Sequence, residues 1–378
     1  MKSIIKKNTV IKELKKIRIK DIAREANVSI GTVDRVIHHR GEVSPETKKR
    51  IEDILKKMNY HPNIIASTLA SKKDHVFALL FPKPVSEESY WNKPLIGVQK
   101  ATTDLTTYGV KILLYQFAQN DPESFRIKAE EILENPPEGI VLAPYFSRET
   151  EDIVAKLEKL NIPYIFIDSN LKGCNKISYI GQNSFQSGAL TAKLFDFSLP
   201  GKANILIVHF GKERDNQNHL IQREKGFYNY FKENDPHSLK KLTTLDIENI
   251  SEDYYFPLLD KVFNETKKID GIFVTNSQAY RIGDYLKKNG KDRGKIKIIG
   301  HDLIKRNVEY LENNVIDFLI CQHPEEQGYQ SVETLFRYLI QKEKVHVENY
   351  TPIDIITKEN YKFYKELNLI NYYGINQF

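Results

Sequence analysis

Polar side chains with hydrogen-bonding capacity cluster behind short apolar runs in this chain. Asp168 closes YIFID (164–168), Asn276 follows GIFVT (271–275), His301 and Asp302 follow IKIIG (296–300), and Gln322 and His323 come just after VIDFLI (315–320). Arg223 lies on a helical stretch after NILIVH (204–209), shortly before Gly226. Carboxylates accept, a guanidinium donates, and carboxamides do both, so such a set brought to one point can hold vicinal hydroxyls by paired hydrogen bonds. The aromatic pair Tyr90-Trp91, after the first apolar run, can cover the apolar face of a ring. Each residue also has an ordinary structural use. Asp302 and Asn276 can cap the helices that follow them. Tyr90 and Trp91 can fill a core, and His301 reads as a satisfied core histidine. Arg223 is the hardest to explain structurally if it is buried.

A second set lies near the N-terminus. Ser29, Ile30, Gly31, Thr32, Asp34, Arg35 and His38 fall on or beside the outward side of a short helix whose inward stripe is Val33, Val36 and Ile37. An exposed arginine there can bond guanine bidentately, and Thr32 can touch a thymine methyl or a phosphate. Asp34 can accept from a cytosine amino group or orient Arg35. Charge favours a polyanionic partner: residues 1–75 hold 18 Lys/Arg against 9 Asp/Glu, whereas the remainder is near neutral.

Enzyme signatures are missing. The sequence has no G-x-G-x-x-G, G-x-x-x-x-G-K-[ST], G-x-S-x-G or H-E-x-x-H. Cys174 and Cys321 are far apart and the ten histidines are scattered, so no metal and no cofactor is expected. An Asp168–His301 dyad stays open as a catalytic alternative. The basic start, MKSIIKKNTVIKELKKIRIK, has no apolar run or small-residue cleavage site. No stretch approaches the ~18 apolar residues of a membrane span. A cytoplasmic protein without membrane association is expected.

The elements that must position these groups follow from periodicity. In the head, Ile22, Ala23 and Ala26 recur at helical spacing, and Asn27-Val28-Ser29 makes a tight turn with Ser29 as N-cap of the second helix. After His39-Arg40-Gly41, Ser44-Pro45 opens a third helix with Ile51, Ile54, Leu55 and Met58 inward. Three short helices with a tight first turn describe a helix-turn-helix. Pro62 stops the third helix and Asn63 can cap a short one running to Ser71, too short to be stable alone. From His75 onward, ten apolar strand candidates alternate with helical stretches, and a further strand is expected near 353–357. That alternation calls for parallel sheets covered on both faces, with ligands beyond the carboxyl ends of the strands. A break near 180–200 divides the body into two lobes.

DIAREANVS (21–29), TVDRV (32–36), VSPETKKRIEDILKKMNYHPN (43–63) and IASTLAS (65–71) resemble the LacI/GalR family of bacterial repressors. The likeness to that family's effector domain extends over nearly all the rest. It implies an all-α helix-turn-helix head and an α/β body, a two-lobed periplasmic-binding-protein-like (type I) domain. The implied boundaries are a basic arm (1–17), the head (18–61), a hinge (62–74) and the body (75–378). Lobe 1 takes about 75–180 and 321–350, and lobe 2 about 181–320 and 351–378. The hinge, with Asn63 and Ala66, is implied to fold in the minor groove, where Leu69 wedges between base pairs. Arg223, Asn276, Asp302 and Gln322 fall where family members contact effector, Asp168 less securely, and Tyr90-Trp91 only loosely. Two departures bear on the operator: Asp34 replaces the usual serine, and the readout positions Ile30 and Gly31 carry no hydrogen-bonding side chain. The expected function is a homodimeric regulator, a repressor first, that binds a pseudo-palindromic double-stranded DNA operator under control of a small effector, a sugar or sugar derivative. An activator of the same architecture and a sugar-binding protein without DNA function are the alternatives.

Overall fold

A computed structural model describes residues 18–37, 41–58, 73–87, 89–212, 216–235, 237, 239–266, 268–290 and 294–364. The chain divides into two units, Met1–Ala70 and Ser71–Phe378.

Within the first unit, α1 (Ile19–Ala26), α2 (Ile30–Ile37) and α3 (Pro45–Lys57) surround a small core of Ile22, Ala23, Ala26, Val33, Val36 and Ile51. The first turn is set by Asn27, which ends α1 in the left-handed region at φ 50°, a conformation that asparagine tolerates better than most residues. Ser29 then caps α2, its Oγ accepting from the Thr32 N–H at 3.1 Å. Ser44 caps α3 by accepting from the Thr47 N–H, with Pro45 at the first helical position.

The second unit holds two six-stranded sheets. In lobe 1 the strands are β1 (His75–Pro82), β2 (Val110–Phe117), β3 (Gly139–Leu142), β4 (Tyr164–Ile167), β5 (Ser178–Gly181) and, from much later in the chain, β11 (Glu348–Tyr350), in the order β11-β5-β4-β3-β1-β2. In lobe 2, β6 (Ala203–Phe210), β7 (Lys240–Ile247), β8 (Gly271–Val274), β9 (Lys297–His301), β10 (Phe318–Cys321) and β12 (Asp354–Ile356) repeat that order as β12-β10-β9-β8-β6-β7. Among the described residues every strand pairing is parallel except β10 with β12. The exception is topological. β11 runs up to the boundary between lobes, where Thr351 N–H donates to Gly181, and β12 leaves that boundary in the opposite sense.

Each sheet is covered on both faces, which is why its central strands are apolar throughout rather than alternating. On β1, Phe77, Leu79 and Phe81 enter the core beneath α4 (Asn92–Leu105) and α12 (Pro324–Leu339). Ala78 and Leu80 enter the opposite core, with α5 (Pro122–Glu134) and α6 (Ser147–Lys159). On β6, Ile205 and Ile207 face α7 (Ser184–Ser198) and α8 (Asn218–Asn234). Leu206, Val208 and Phe210 face α9 (Glu252–Glu265), α10 (Tyr280–Lys288) and α11 (Lys305–Glu312).

Two matching glycine pairs let helix backbones touch. A Cβ on Gly97 would lie 1.9 Å from the Glu325 carbonyl oxygen, and one on Gly328 would lie 2.0 Å from that of Pro94, joining α4 to α12. In lobe 2, a Cβ on Gly188 would lie 1.8 Å from the Arg223 carbonyl oxygen, and one on Gly226 would lie 1.9 Å from that of Phe185, joining α7 to α8.

Two strand expectations are corrected. The run at 315–320 becomes strand only from Phe318, because Asn314 turns left-handed and the N–H groups of Val315 and Ile316 close the end of α11 on the Tyr310 carbonyl. β11 was not anticipated, because Glu-Asn-Tyr is a short polar edge without apolar periodicity.

Candidate functional site

Asp168 and Asp302 occupy the same place in the two lobes, one residue beyond β4 and β9. Both are left-handed, at φ 67° and 68°, and both donate their N–H to the neighbouring strand, Ile180 at 3.1 Å and Ile320 at 2.9 Å. For a non-glycine residue that conformation is strained, and such strain concentrates at functional positions. Each turn projects a buried carboxylate into a cavity of about 510 Å³ between the lobes.

All seven residues singled out as ligand contacts, Tyr90, Trp91, Asp168, Arg223, Asn276, Asp302 and Gln322, line that cavity. Their engagements differ. Tyr90 donates its hydroxyl to Asp168 Oδ1 at 2.7 Å. Trp91 is at once cavity wall and core, packed on Phe81 with ring centres 5.7 Å apart and edge-on to Tyr90. Asn276 is largely engaged with backbone, donating to the Phe210 carbonyl at 2.6 Å and accepting from the Gln278 N–H. Asp302 does not cap the next helix; its carboxylate accepts from Gln322 Nε2 at 3.1 and 3.0 Å.

Arg223 is 1% exposed. It comes from the first turns of α8, held there by the contact of its own carbonyl with Gly188. Its Nη1 donates to the Thr275 carbonyl and its Nη2 to Gln322 Oε1 at 2.9 Å, while Nε has no hydrogen-bond partner among the described residues. Burial draws its pKa down against the pull of Asp302 and Asp168, yet an arginine remains charged at neutral pH. The same burial pushes the Asp302 carboxyl up to about 7, with Arg223 and Gln322 opposing. His219, another lining residue, is driven down to about 4 by burial, and its Nδ1 has no partner among the described residues. At neutral pH it is an uncharged imidazole.

Sequence reasoning missed Tyr145, Gln217, His219, Gln278, Tyr280, Arg281 and Arg306, which also line the cavity. Tyr145 follows β3, so the strand-end rule reaches it if every strand is treated alike. The others sit at helix starts, where only the folded loops decide which way a side chain faces.

Behind the cavity the described residues cross between lobes three times, after β5, after β10 and between β11 and β12. Gln182 Nε2 ties the crossings together by donating to the carbonyls of Cys321 and Pro352, and Thr351 Oγ1 donates to that of Gln322. Beside Tyr145 and Gln217, a second set of bonds joins the lobes. Ser147 Oγ donates to the Asn216 carbonyl, the Arg148 N–H to Asn216 Oδ1, and Asn216 Nδ2 to the buried Glu149, all within 3.0 Å.

His301 is buried and neutral, 3.2 Å from Ser187 Oγ and 3.3 Å from the Val274 carbonyl. Neither His301 nor Ser187 lines the cavity. Asp168 bonds to Tyr90 rather than to His301. Among the described residues no helix is long and apolar enough to cross a membrane.

In the head, the outer side of α2 is open. Ser29, Ile30, Gly31 and Arg35 are exposed and Thr32 and Asp34 half-buried. Arg35 Nε donates back to the Gly31 carbonyl at 3.3 Å, and Ser29 Oγ lies 2.9 Å from Thr32 Oγ1. His38, Asn63, Ala66 and Leu69 lie outside the described residues.

Residues 77–343 match the periplasmic binding protein domain family, and residues 18–63 match the bacterial regulatory proteins of the lacI family. Catabolite control protein A of Staphylococcus xylosus is 29% identical over 157 residues, covering 41% of this chain and 45% of that protein. The chain thus spans about half the length of the curated relatives it matches. A crystal structure described as a LacI transcriptional regulator from Bacteroides fragilis superposes with a TM-score of 0.72 at 32% identity, covering 77% of this chain and all of that one. An ABC transporter solute-binding protein from Burkholderia graminis, in complex with D-arabinose, shares the fold at 18% identity and a TM-score of 0.68, covering 76% and 97%. By the extent of these matches, the chain belongs to the LacI family of bacterial regulatory proteins, with a periplasmic binding protein domain as its body.

Proposed function

We propose that this protein is a DNA-binding transcriptional regulator, in the first instance a repressor, whose operator affinity is set by a small polyhydroxylated effector held between the lobes of its body. The observation that carries the reading is the convergence of Asp168 from one lobe with Arg223 and Asp302 from the other, bridged by Gln322 at a crossing, around a cavity walled by Tyr90 and Trp91. Hydroxyl groups suit such mixed donors and acceptors, and the fold relative from Burkholderia graminis is described with D-arabinose. On this reading α2 enters a major groove, with Arg35 and Thr32 towards base edges and Ser29 and Asp34 beside them. The hinge pairs with that of a second copy, so two heads meet a pseudo-palindromic site. Effector moves the balance only through unequal affinity for the two arrangements of the lobes. The protein works in the cytoplasm, where its DNA is, and no catalytic step is assigned to it.

The test is selection of bound duplexes from a random pool at two salt concentrations, then titration of the selected site in the presence of a carbohydrate panel. A salt-sensitive preference for a pseudo-palindrome, shifted by one or a few sugars, supports the reading; the absence of any preferred duplex overturns it. Arg223→Ala is expected to abolish the shift and spare DNA binding, read by fluorescence anisotropy.

A further inference from the structure

Resting on the DNA-binding reading, we infer that Ile30 reads the 5-methyl group of a thymine in each half-site, so that this position of the operator is recognised by apolar contact rather than by hydrogen bonds. In the head, Ile22, Val33, Val36 and Ile51 are buried, and the other described isoleucine, leucine and valine side chains are half-buried, whereas Ile30 is 56% exposed. Single exposed apolar side chains are ordinary on protein surfaces, so exposure by itself assigns nothing. The position of Ile30 does. It is the first residue of α2, and in a helix-turn-helix the N-terminal residues of the second helix meet base edges.

The neighbours of Ile30 leave this place to it. Gly31 has no side chain, and a Cβ added there would lie 3.8 Å from the Ser29 hydroxyl, an ordinary contact distance. Packing within the head therefore does not demand glycine at 31, and its bareness leaves room for a base beside Ile30. Ser29 Oγ caps α2 by accepting from the Thr32 N–H, and it lies 2.9 Å from Thr32 Oγ1. The two hydroxyls thus engage each other. Arg35 lies one turn further on, with its Nε drawn back to the Gly31 carbonyl at 3.3 Å.

In the major groove thymine carries a methyl at C5, where cytosine carries hydrogen, and the purines present donors and acceptors. An aliphatic side chain gains from the methyl by removing apolar area from water. Against a polar base edge it would displace hydration and offer nothing in return. Isoleucine in a helix is also stiff at χ1, so it loses little freedom on packing.

The experiment starts from the duplex selected by the full-length protein. Each thymine is replaced in turn by deoxyuridine, which keeps the hydrogen-bonding pattern and removes only the methyl. One symmetry-related pair of replacements should weaken binding, about fourfold for one half-site and about fifteenfold for both, as read by fluorescence anisotropy. At the same position, 5-methylcytosine should bind more tightly than cytosine. Ile30→Ala, with circular dichroism melts confirming that it folds, should bind the thymine and deoxyuridine duplexes equally, and Ile30→Val should keep part of the difference. If every deoxyuridine duplex binds as tightly as its parent, or if the methyl dependence survives in Ile30→Ala, the inference is overturned and the DNA-binding reading stands. If no duplex is selected at all, both fall.

Discussion

Burial brings the ionisation of Asp302 close to neutral pH, and that ionisation is coupled to both folding and ligand. Its carboxyl sits at about 7, against about 3.9 for an unfolded aspartate. Between those values the folded chain keeps a proton that the unfolded chain has lost, so stability falls as pH rises from about 4 through about 7. Asp302→Asn removes the titration. Without ligand, the variant is expected to gain on the native protein in thermal melts as pH is raised from 5 to 8, and a pH-independent difference would contradict the assignment. Ligand hydroxyls that donate to this carboxylate favour its charged form, so effector binding should release protons near neutral pH. On the exposed side of α2, if it meets DNA as proposed, Arg35→Ala is expected to cost about 1–3 kcal/mol of specific binding and to relax the site at one base pair. Unchanged operator selection would remove Arg35 from readout. Asp168, Asp302 and Gln322 were accessible from sequence because their place is dictated by backbone: each follows a strand end. The wiring of Gln322 to both Arg223 and Asp302 was not, because side-chain pairing across sequence separations of 99 and 20 leaves no periodic trace.

Helix contacts set where the site residues stand. Gly226 and Gly188 allow α7 and α8 to meet backbone to backbone, and that contact fixes the turn from which Arg223 projects. Gly226→Ala is therefore expected to destabilise the body by about 1–3 kcal/mol through overpacking. It should also weaken effector binding, read from denaturant midpoints and calorimetry. An exposed glycine such as Gly201, with nothing near its Cβ but φ at 78°, serves as a comparison in which backbone strain alone operates. The sequence marked most helices and strands of the body through apolar period and caps. It did not mark these glycines as contacts, since a lone glycine inside a helix reads only as a weak position. β11 escaped for a related reason: an edge strand pairs through its backbone, so its side chains need not be apolar.

At the scale of the whole body, the two lobes are linked by the crossings on one side of the cavity and by Asn216 on another. Asn216→Ala removes the acceptor of the Arg148 N–H and a donor to the buried Glu149, and unmet buried partners of this kind cost about 1–3 kcal/mol each. The variant is expected to sample a wider separation of the lobes in small-angle scattering and to bind effector more weakly. An unchanged profile and affinity would make the contact dispensable. The order of the strands also bears on biosynthesis. Lobe 1 starts first on the ribosome, yet its outermost strand and the helix whose Val332, Leu335 and Phe336 roof its sheet are translated only after the first five strands of lobe 2. A stalled or truncated chain ending before Pro324 would thus leave the Phe77, Leu79 and Val141 face partly unroofed. Such fragments should be sticky and chaperone-dependent, and the nascent protein can be finished only from its far end backwards.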